Sequence, residues 1–191
     1  MEEKSAKKRK VAWGVTGSGD QLVETIEVMK QAKKQFEQTV EVQVYLSKAA
    51  STVLKYYRLN DELKASFERV YTEVDANTPF LAGWLQQHKF EFLLVAPATS
   101  NTVAKIAGKI GDTMLTNAAA MGLKALVPIY IMPTDFQEGI ASTRLPKGEI
   151  MQLHISREDA EKVRKTAKMQ SVFVITKPEE ILAIFRKHFG T

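Results

Sequence analysis

The 191-residue chain contains no cysteine. That absence excludes disulfides, thiolate zinc sites, protein-ligated iron–sulfur clusters and cysteine nucleophiles. Any redox chemistry must therefore rest on an organic cofactor. Histidine is scarce too: there are three, His88, His154 and His188, and all lie outside the stretches that read as ligand loops. No apolar run approaches the roughly 18 residues that a membrane-spanning helix needs. No signal-peptide pattern is present either, so the expected location is cytoplasmic, with no membrane partner.

What is present is an ordinary globular composition, 45% hydrophobic and 26% charged, at a length that fits one domain. Lysine and arginine number 27 against 22 aspartate and glutamate, a formal net charge of +5. Part of the excess lies in Lys7, Lys8, Arg9 and Lys10. Residues 1–9 read as a basic tail ahead of a single domain spanning 10–190. No aromatic interleaving or helical DNA-reading motif accompanies that run, so no nucleic-acid partner is expected. A basic body attracts acidic partners, such as small electron carriers.

Apolar β-branched segments alternate with amphipathic ones along the chain. Strands are expected at Val11–Val15, Val40–Leu46, Arg69–Val74, Phe92–Ala96, Ala125–Ile131 and Val172–Thr176. Pro97 should close the fourth, and Pro128 should place the fifth at a sheet edge. Helices are expected from Gln21 to Lys34, Lys48 to Tyr57, Phe80 to His88, and from Pro178 to the end. In the first of these, Leu22, Ile26 and Met29 share a face at helical spacing. Strands alternating with helices imply an α/β fold: a doubly wound (Rossmann-like), mostly parallel six-stranded sheet in three α/β/α layers. Met132–Gly148 is the one long irregular stretch, suited to a ligand or an interface.

In an open parallel sheet, ligands bind beyond the carboxyl ends of the strands, where strand order reverses. Thr16-Gly17-Ser18-Gly19-Asp20 follows the first strand and opens a helix. Glycines there let a backbone approach a ligand, and helix-start amides accept phosphate. Leu22 stands where a dinucleotide fingerprint has its third glycine, and the P-loop Lys-Ser/Thr is missing. Asp20 is a candidate helix cap. Ser47-Lys48 follows the second strand, where a nicotinamide-dinucleotide site would carry an acidic residue; NAD is disfavoured. After the fourth strand, Pro97-Ala98-Thr99-Ser100-Asn101-Thr102 gathers four polar side chains at a helix start. Gly108 and Gly111 then interrupt the helix, and Asp112 reads as the cap of the next.

These residues resemble the flavoprotein superfamily of homo-oligomeric flavin-containing cysteine decarboxylases, which includes the flavin prenyltransferases. The family's Pro-Ala-Ser-Ala-Asn-Thr motif is similar to Pro97–Thr102. Its Ala-Lys-x-Ala…Asp-x-Leu-Leu-Thr pattern is similar to Ala104–Ala107 with Asp112–Thr116, and its Gly-x-Thr-Gly-Ser loop to Gly14–Ser18. The resemblance runs from Lys10 to Asp135. It implies FMN held between subunits of a trimer, or of a multiple of trimers. The cofactor-binding residues it implies are Thr16, Gly17, Ser18, Gly19, Ser47, Lys48, Pro97, Ala98, Thr99, Ser100, Asn101, Thr102 and Asp112. The decarboxylases' histidine would fall near Gly83, and their Pro-x-Met-Asn-x-x-Met-Trp clamp is replaced near Met132–Asp135. Cysteine decarboxylation is therefore not expected.

Within the superfamily, Val11–Asp20, Val70–Trp84 and Ile129–Asp135 most resemble the archaeal-type AfpA-like flavoproteins and the dihydromethanopterin reductases. That resemblance implies an FMN electron-transfer protein taking electrons from ferredoxin or another acidic low-potential carrier. The alternatives are an FMN-dependent dihydromethanopterin reductase, and a flavin prenyltransferase-like or nonredox flavin-binding protein. No metal site is expected, and no catalytic side chain stands out.

Overall fold

The computed structural model describes residues 7–190. The expected basic tail, residues 1–9, lies partly outside them; of the rest, Lys7 and Lys8 precede the first strand, while Arg9 already belongs to it. Six strands form one parallel sheet in the order β3-β2-β1-β4-β5-β8. They are β1 (Arg9–Val15), β2 (Val40–Leu46), β3 (Arg69–Thr72), β4 (Phe92–Ala98), β5 (Ile129–Pro133) and β8 (Val172–Val174). The chain winds one way from β1 to β3, then returns to β4 on the other side of β1. Strand order therefore reverses between β1 and β4, which pair in register from Val11 with Phe92 to Gly14 with Val95.

Both central strands read as unbroken apolar runs because helices cover both faces of the sheet. Every residue of β4 is buried, as are the last five of β1. On one face, Trp13, Leu22, Ile26, Met29, Phe67 and Phe185 pack together. Helix α1 (Leu22–Gln35) presents Leu22, Ile26 and Met29 to that core, as their spacing predicts. The Trp13 indole is buried without penalty, since its Nε1–H donates to the Ala96 carbonyl at 2.7 Å. The opposite face is built from Tyr45, Leu81, Leu93, Leu115 and Ile129.

The remaining helices are α2 (Lys48–Tyr56), α3 (Asn60–Ser66), α4 (Leu81–Gln86), α5 (Ser100–Ala107), α6 (Met114–Lys124), α7 (Arg157–Ala167) and α8 (Glu180–Phe189). Three expectations need correction. Pro97 does not end the fourth strand: β4 continues to Ala98, with a register shift against β5 between Val95 and Ala98. Pro128 marks no edge, because it precedes β5, which lies between β4 and β8; its carbonyl accepts from the Leu93 amide. The stretch from Met132 to Gly148 is not irregular throughout. It finishes β5 and then forms β6 (Gly139–Arg144), which pairs antiparallel with β7 (Ile150–Ile155) in a separate two-stranded ribbon.

Candidate functional site

The loops after β1, β2, β3 and β4 meet at the carboxyl end of the sheet, where the order reverses. Backbone bonds stitch them together: Ser47 N–H to Val15 O at 3.0 Å, Glu73 N–H to Leu46 O at 2.9 Å and Thr134 N–H to Ala98 O at 3.0 Å. Thr16 joins the two central tips. Its hydroxyl donates to the Pro97 carbonyl at 2.8 Å and accepts from the Thr99 amide at 2.9 Å. Both loops are thereby held at one spacing.

Helix starts supply the polarity. Ser47 caps α2 by accepting from the Ala50 amide at 3.0 Å, and Thr99 caps α5 by accepting from the Thr102 amide at 3.3 Å. Once Thr99 has capped its helix, the amides of Ser100 and Asn101 make no hydrogen bond among the described residues, and neither do those of Gly17, Ser18 and Gly19. Five backbone donors around the reversal point thus have no partner among the described residues. Gly17 has to be glycine for packing reasons, since a Cβ there would lie 2.6 Å from the Ala49 Cβ.

Two cavities open on this end. The larger, about 590 Å3, is lined by Thr16, Gly17, Ser47, Lys48, Ala49, Glu73, Asp75, Ala76, Thr99, Asn101, Thr102, Asp112, Thr113 and Leu115. The smaller, about 300 Å3, lies beneath the ribbon and shares Gly17 and Thr99 with it. Ser18, Gly19, Asp20, Tyr57, Ser100, Thr134 and Asp135 line this cleft, together with Ala141–Thr143, Leu145, Met151 and Leu153 of the ribbon. The candidate residues therefore divide. Ser47, Lys48, Asn101, Thr102 and Asp112 face the larger cavity, Ser18, Gly19 and Ser100 the cleft, and Thr16 the larger cavity only. Pro97 and Ala98 line neither; they are buried in β4 and act through their carbonyls.

Neither aspartate singled out as a cap is one. Gln21, in the left-handed conformation at φ 54°, stands at the N-cap of α1 with no side-chain cap bond. Asp20 instead turns toward Thr143 of the ribbon. Burial raises its carboxyl pKa above the usual aspartate range; the nearby Thr143 hydroxyl opposes that rise, while Glu24 and Asp135 add to it. Thr113 caps α6 in a reciprocal box with Thr116. Asp112 instead pairs with Lys105 at 2.9 Å, a bond that lowers its pKa.

Glu73 was not legible as a site residue. Its carboxylate is almost wholly buried and sits between two helix starts. One oxygen accepts from the Lys48 amide of α2 at 3.0 Å, the other from the Met114 amide of α6 at 2.8 Å. Two helix dipoles thus converge on one carboxylate, which neutralises them. The start of α5 keeps its dipole open to a ligand. The one available signal was position: an acidic residue one step past a strand's carboxyl end.

The three histidines stay away from both cavities. His188 packs on Phe92 and meets the Tyr130 hydroxyl at 2.9 Å; burial lowers its pKa.

The chain is 44% identical over 179 residues to an uncharacterised protein of Methanocaldococcus jannaschii, covering 94% of this chain and 95% of that one. It is 37% identical to the dihydromethanopterin reductase (acceptor) of the same organism, over 72% of this chain and 58% of the reductase. With the enzyme of that name from Methanosarcina mazei it shares 36% identity, over 70% and 58% of the two chains. The chain thus spans just over half the length of these reductases. Among solved structures, DmrB from Burkholderia xenovorans in complex with FMN, described as a cubic protein cage for redox transfer, superposes with a TM-score of 0.79 at 28% identity. That likeness covers 95% of this chain and 96% of DmrB. The Flavoprotein family model matches residues 1–190, and the chain belongs to that family.

Proposed function

We propose that this chain is an FMN-dependent oxidoreductase that passes electrons from bound FMN to a dihydropterin. The carrying observation is the open start of α5 at the β1/β4 reversal, where free amides of Ser100 and Asn101 adjoin those of the Gly17–Gly19 loop. That donor set fits a phosphate-bearing cofactor, because backbone N–H groups and the helix dipole both favour an anion. The Ser100 and Asn101 amides and the Thr102 hydroxyl would hold the phosphate. Gly17 gives the close approach, Ser47 and Thr113 offer further polar contacts, and Lys48 supplies positive charge. FMN, once bound, supplies the electron and hydride chemistry. The chain's own residues hold it, fix its orientation and shape the space beside it. The 36–37% identity to the two reductases supports a pterin as acceptor.

The chain works as a homo-oligomer in this reading. Ile140 and Ile150 on the ribbon are 71% and 68% exposed, and Ile110 is 52% exposed beside a groove of about 420 Å3 between α5 and α6. Apolar surface of this kind is typical of protein contacts. Purified protein should take up FMN and turn yellow. After anaerobic reduction, adding a dihydropterin should restore oxidised-flavin absorption; flavin that stays bleached would sink the pterin reading.

A net charge of +5 favours a second reading for the electron source, an acidic carrier such as ferredoxin steered to a basic surface. Reduced ferredoxin should then bleach the flavin fastest at low salt, and a rate indifferent to salt would argue against steering.

A further inference from the structure

We infer that Glu73 sets the reduction potential of the bound flavin. By occupying the starts of α2 and α6, its buried carboxylate withholds their positive charge from the larger cavity and keeps the potential low. This inference rests on the FMN reading and adds to it a residue that tunes the cofactor.

Three helices start around the larger cavity, and all three carry the same cap. Ser47, Thr99 and Thr113 each accept from the amide three residues on, those of Ala50, Thr102 and Thr116. The amide next to the cap tells them apart. In α5 it belongs to Ser100 and makes no hydrogen bond among the described residues. In α2 and α6 it belongs to Lys48 and Met114, and both donate to Glu73, at 3.0 and 2.8 Å. Each carboxylate oxygen accepts one of these bonds, as an ionised carboxylate does. The Glu73 amide is itself tied to the Leu46 carbonyl at 2.9 Å, which fixes where the side chain begins. One acidic residue thus separates two quenched helix starts from the open one.

The effect on the cavity is electrostatic. A helix start carries about half a positive charge, so two of them offset one carboxylate. The other charged residues of the lining are Lys48, Asp75 and Asp112. All three are exposed, so water and salt screen them, and Asp112 is already paired with Lys105. Glu73 is 9% exposed and acts through a medium of lower dielectric. It is the buried charge of this wall.

With the phosphate held at α5, the flavin ring shares the cavity with Glu73. Reduction by two electrons and one proton leaves the ring with a net negative charge, which a nearby helix start stabilises. Glu73 takes that stabilisation away at α2 and at α6. A new charge in a partly buried space with no free positive partner is disfavoured. Oxidised FMN is therefore the form held more tightly, and the bound couple lies below that of free FMN. A low potential makes the flavin a stronger donor to whatever accepts its electrons.

The test uses the full-length, FMN-loaded protein. Anaerobic reduction against a reference dye gives the potential of bound FMN, and with the dissociation constant of oxidised FMN it gives that of reduced FMN. The wild type should bind oxidised FMN at least tenfold more tightly than reduced FMN, a shift of about 30 mV below free FMN for a two-electron couple. Glu73→Gln keeps an acceptor for one amide but removes the charge. The preference should then shrink by about tenfold, the scale of a helix start acting on a partly buried charge, with oxidised FMN still bound within threefold. Glu73→Asp keeps the charge on a shorter arm; it should unfold at lower urea yet hold the wild-type preference within twofold. A wild-type potential at or above that of free FMN overturns the assignment, whether or not Glu73→Gln folds. So does a Glu73→Gln protein that holds FMN at the wild-type potential. A Glu73→Asp protein that shifts as far as Glu73→Gln overturns it too, because a purely structural role moves both alike. If the wild type takes up no FMN, the cofactor reading fails and this one with it. If FMN binds at the expected potentials and a dihydropterin does not reoxidise it, the role of Glu73 stands and only the pterin reading falls.

Discussion

The two cavities share a wall and differ in almost everything else. The larger is lined by the hydroxyls of Thr16, Ser47, Thr99, Thr102 and Thr113, with Lys48 and the carboxylates of Glu73, Asp75 and Asp112, at helices whose starts carry partial positive charge. The narrower is acidic on one side and oily on the other, with a roof that belongs to a ribbon outside the main sheet. The contrast teaches that one loop, Thr16–Asp20, serves two spaces of different character: helix starts and hydroxyls surround one, while apolar side chains of the ribbon cover the other.

The comparison breaks most completely at the shared wall. Gly17→Val places side-chain atoms where the Ala49 Cβ already stands, 2.6 Å from an added Cβ. FMN uptake should fall by roughly 10- to 100-fold, the range that about 1–3 kcal/mol of overpacking at this wall would give, and flavin absorbance after reconstitution measures it. Glu73→Ala should be next, as a loss of stability. It leaves the Lys48 and Met114 amides without their acceptor. At about 1–3 kcal/mol for each stranded buried donor, urea unfolding should show a loss of about 3 kcal/mol. Thr16→Val keeps the side-chain shape but strands the Thr99 amide and leaves the Pro97 carbonyl only the Thr16 N–H at 3.3 Å. The expected cost is about 1–2 kcal/mol, with FMN bound more weakly because the two loops are then tied by that backbone bond alone.

The smallest effect, which sharpens the contrast most, belongs to Asp20. Its folded pKa is raised above the ordinary 3.8, so the native state holds this proton more tightly than the unfolded chain does. The stability this provides is complete below 3.8 and is lost as pH rises through the raised value. At neutral pH the wild type therefore carries a penalty that Asp20→Asn lacks. The variant should melt slightly higher at pH 7, and the gap should close as pH falls toward 4. A gap that is constant with pH would mean the carboxyl is not in conflict with its surroundings.

Much of the sheet was legible because burial on both faces leaves an unmistakable record. β2 occupies Val40–Leu46 as read, and β4 begins at Phe92 as read. The reversal point followed from strand order, and with it the loops to inspect. The ribbon was not legible. Apolar residues stand on both of its faces, Ile140 and Ile150 on the outer one and Met151 and Leu153 on the one over the cleft, so the sequence shows no apolar–polar alternation to mark it as sheet. Pro133 and Pro146 also punctuate the stretch as a loop would. Glu73 was hidden for another reason. Its partners lie 25 and 41 residues away along the chain, and only the packed topology brings them to one carboxylate. Asp20 and Asp112 look like caps because aspartates before helices usually are; neighbouring residues took that role, and the Asp112 carboxylate pairs with Lys105 instead.

The pair of hydrogen bonds made by the Thr16 hydroxyl has a consequence beyond holding two loops together. A pocket whose walls are fixed in the unliganded protein demands little ordering when its guest arrives, and what is not lost to ordering appears as affinity. A hydroxyl engaged with the protein's own backbone thereby contributes to the guest's grip, by making the host rigid in advance.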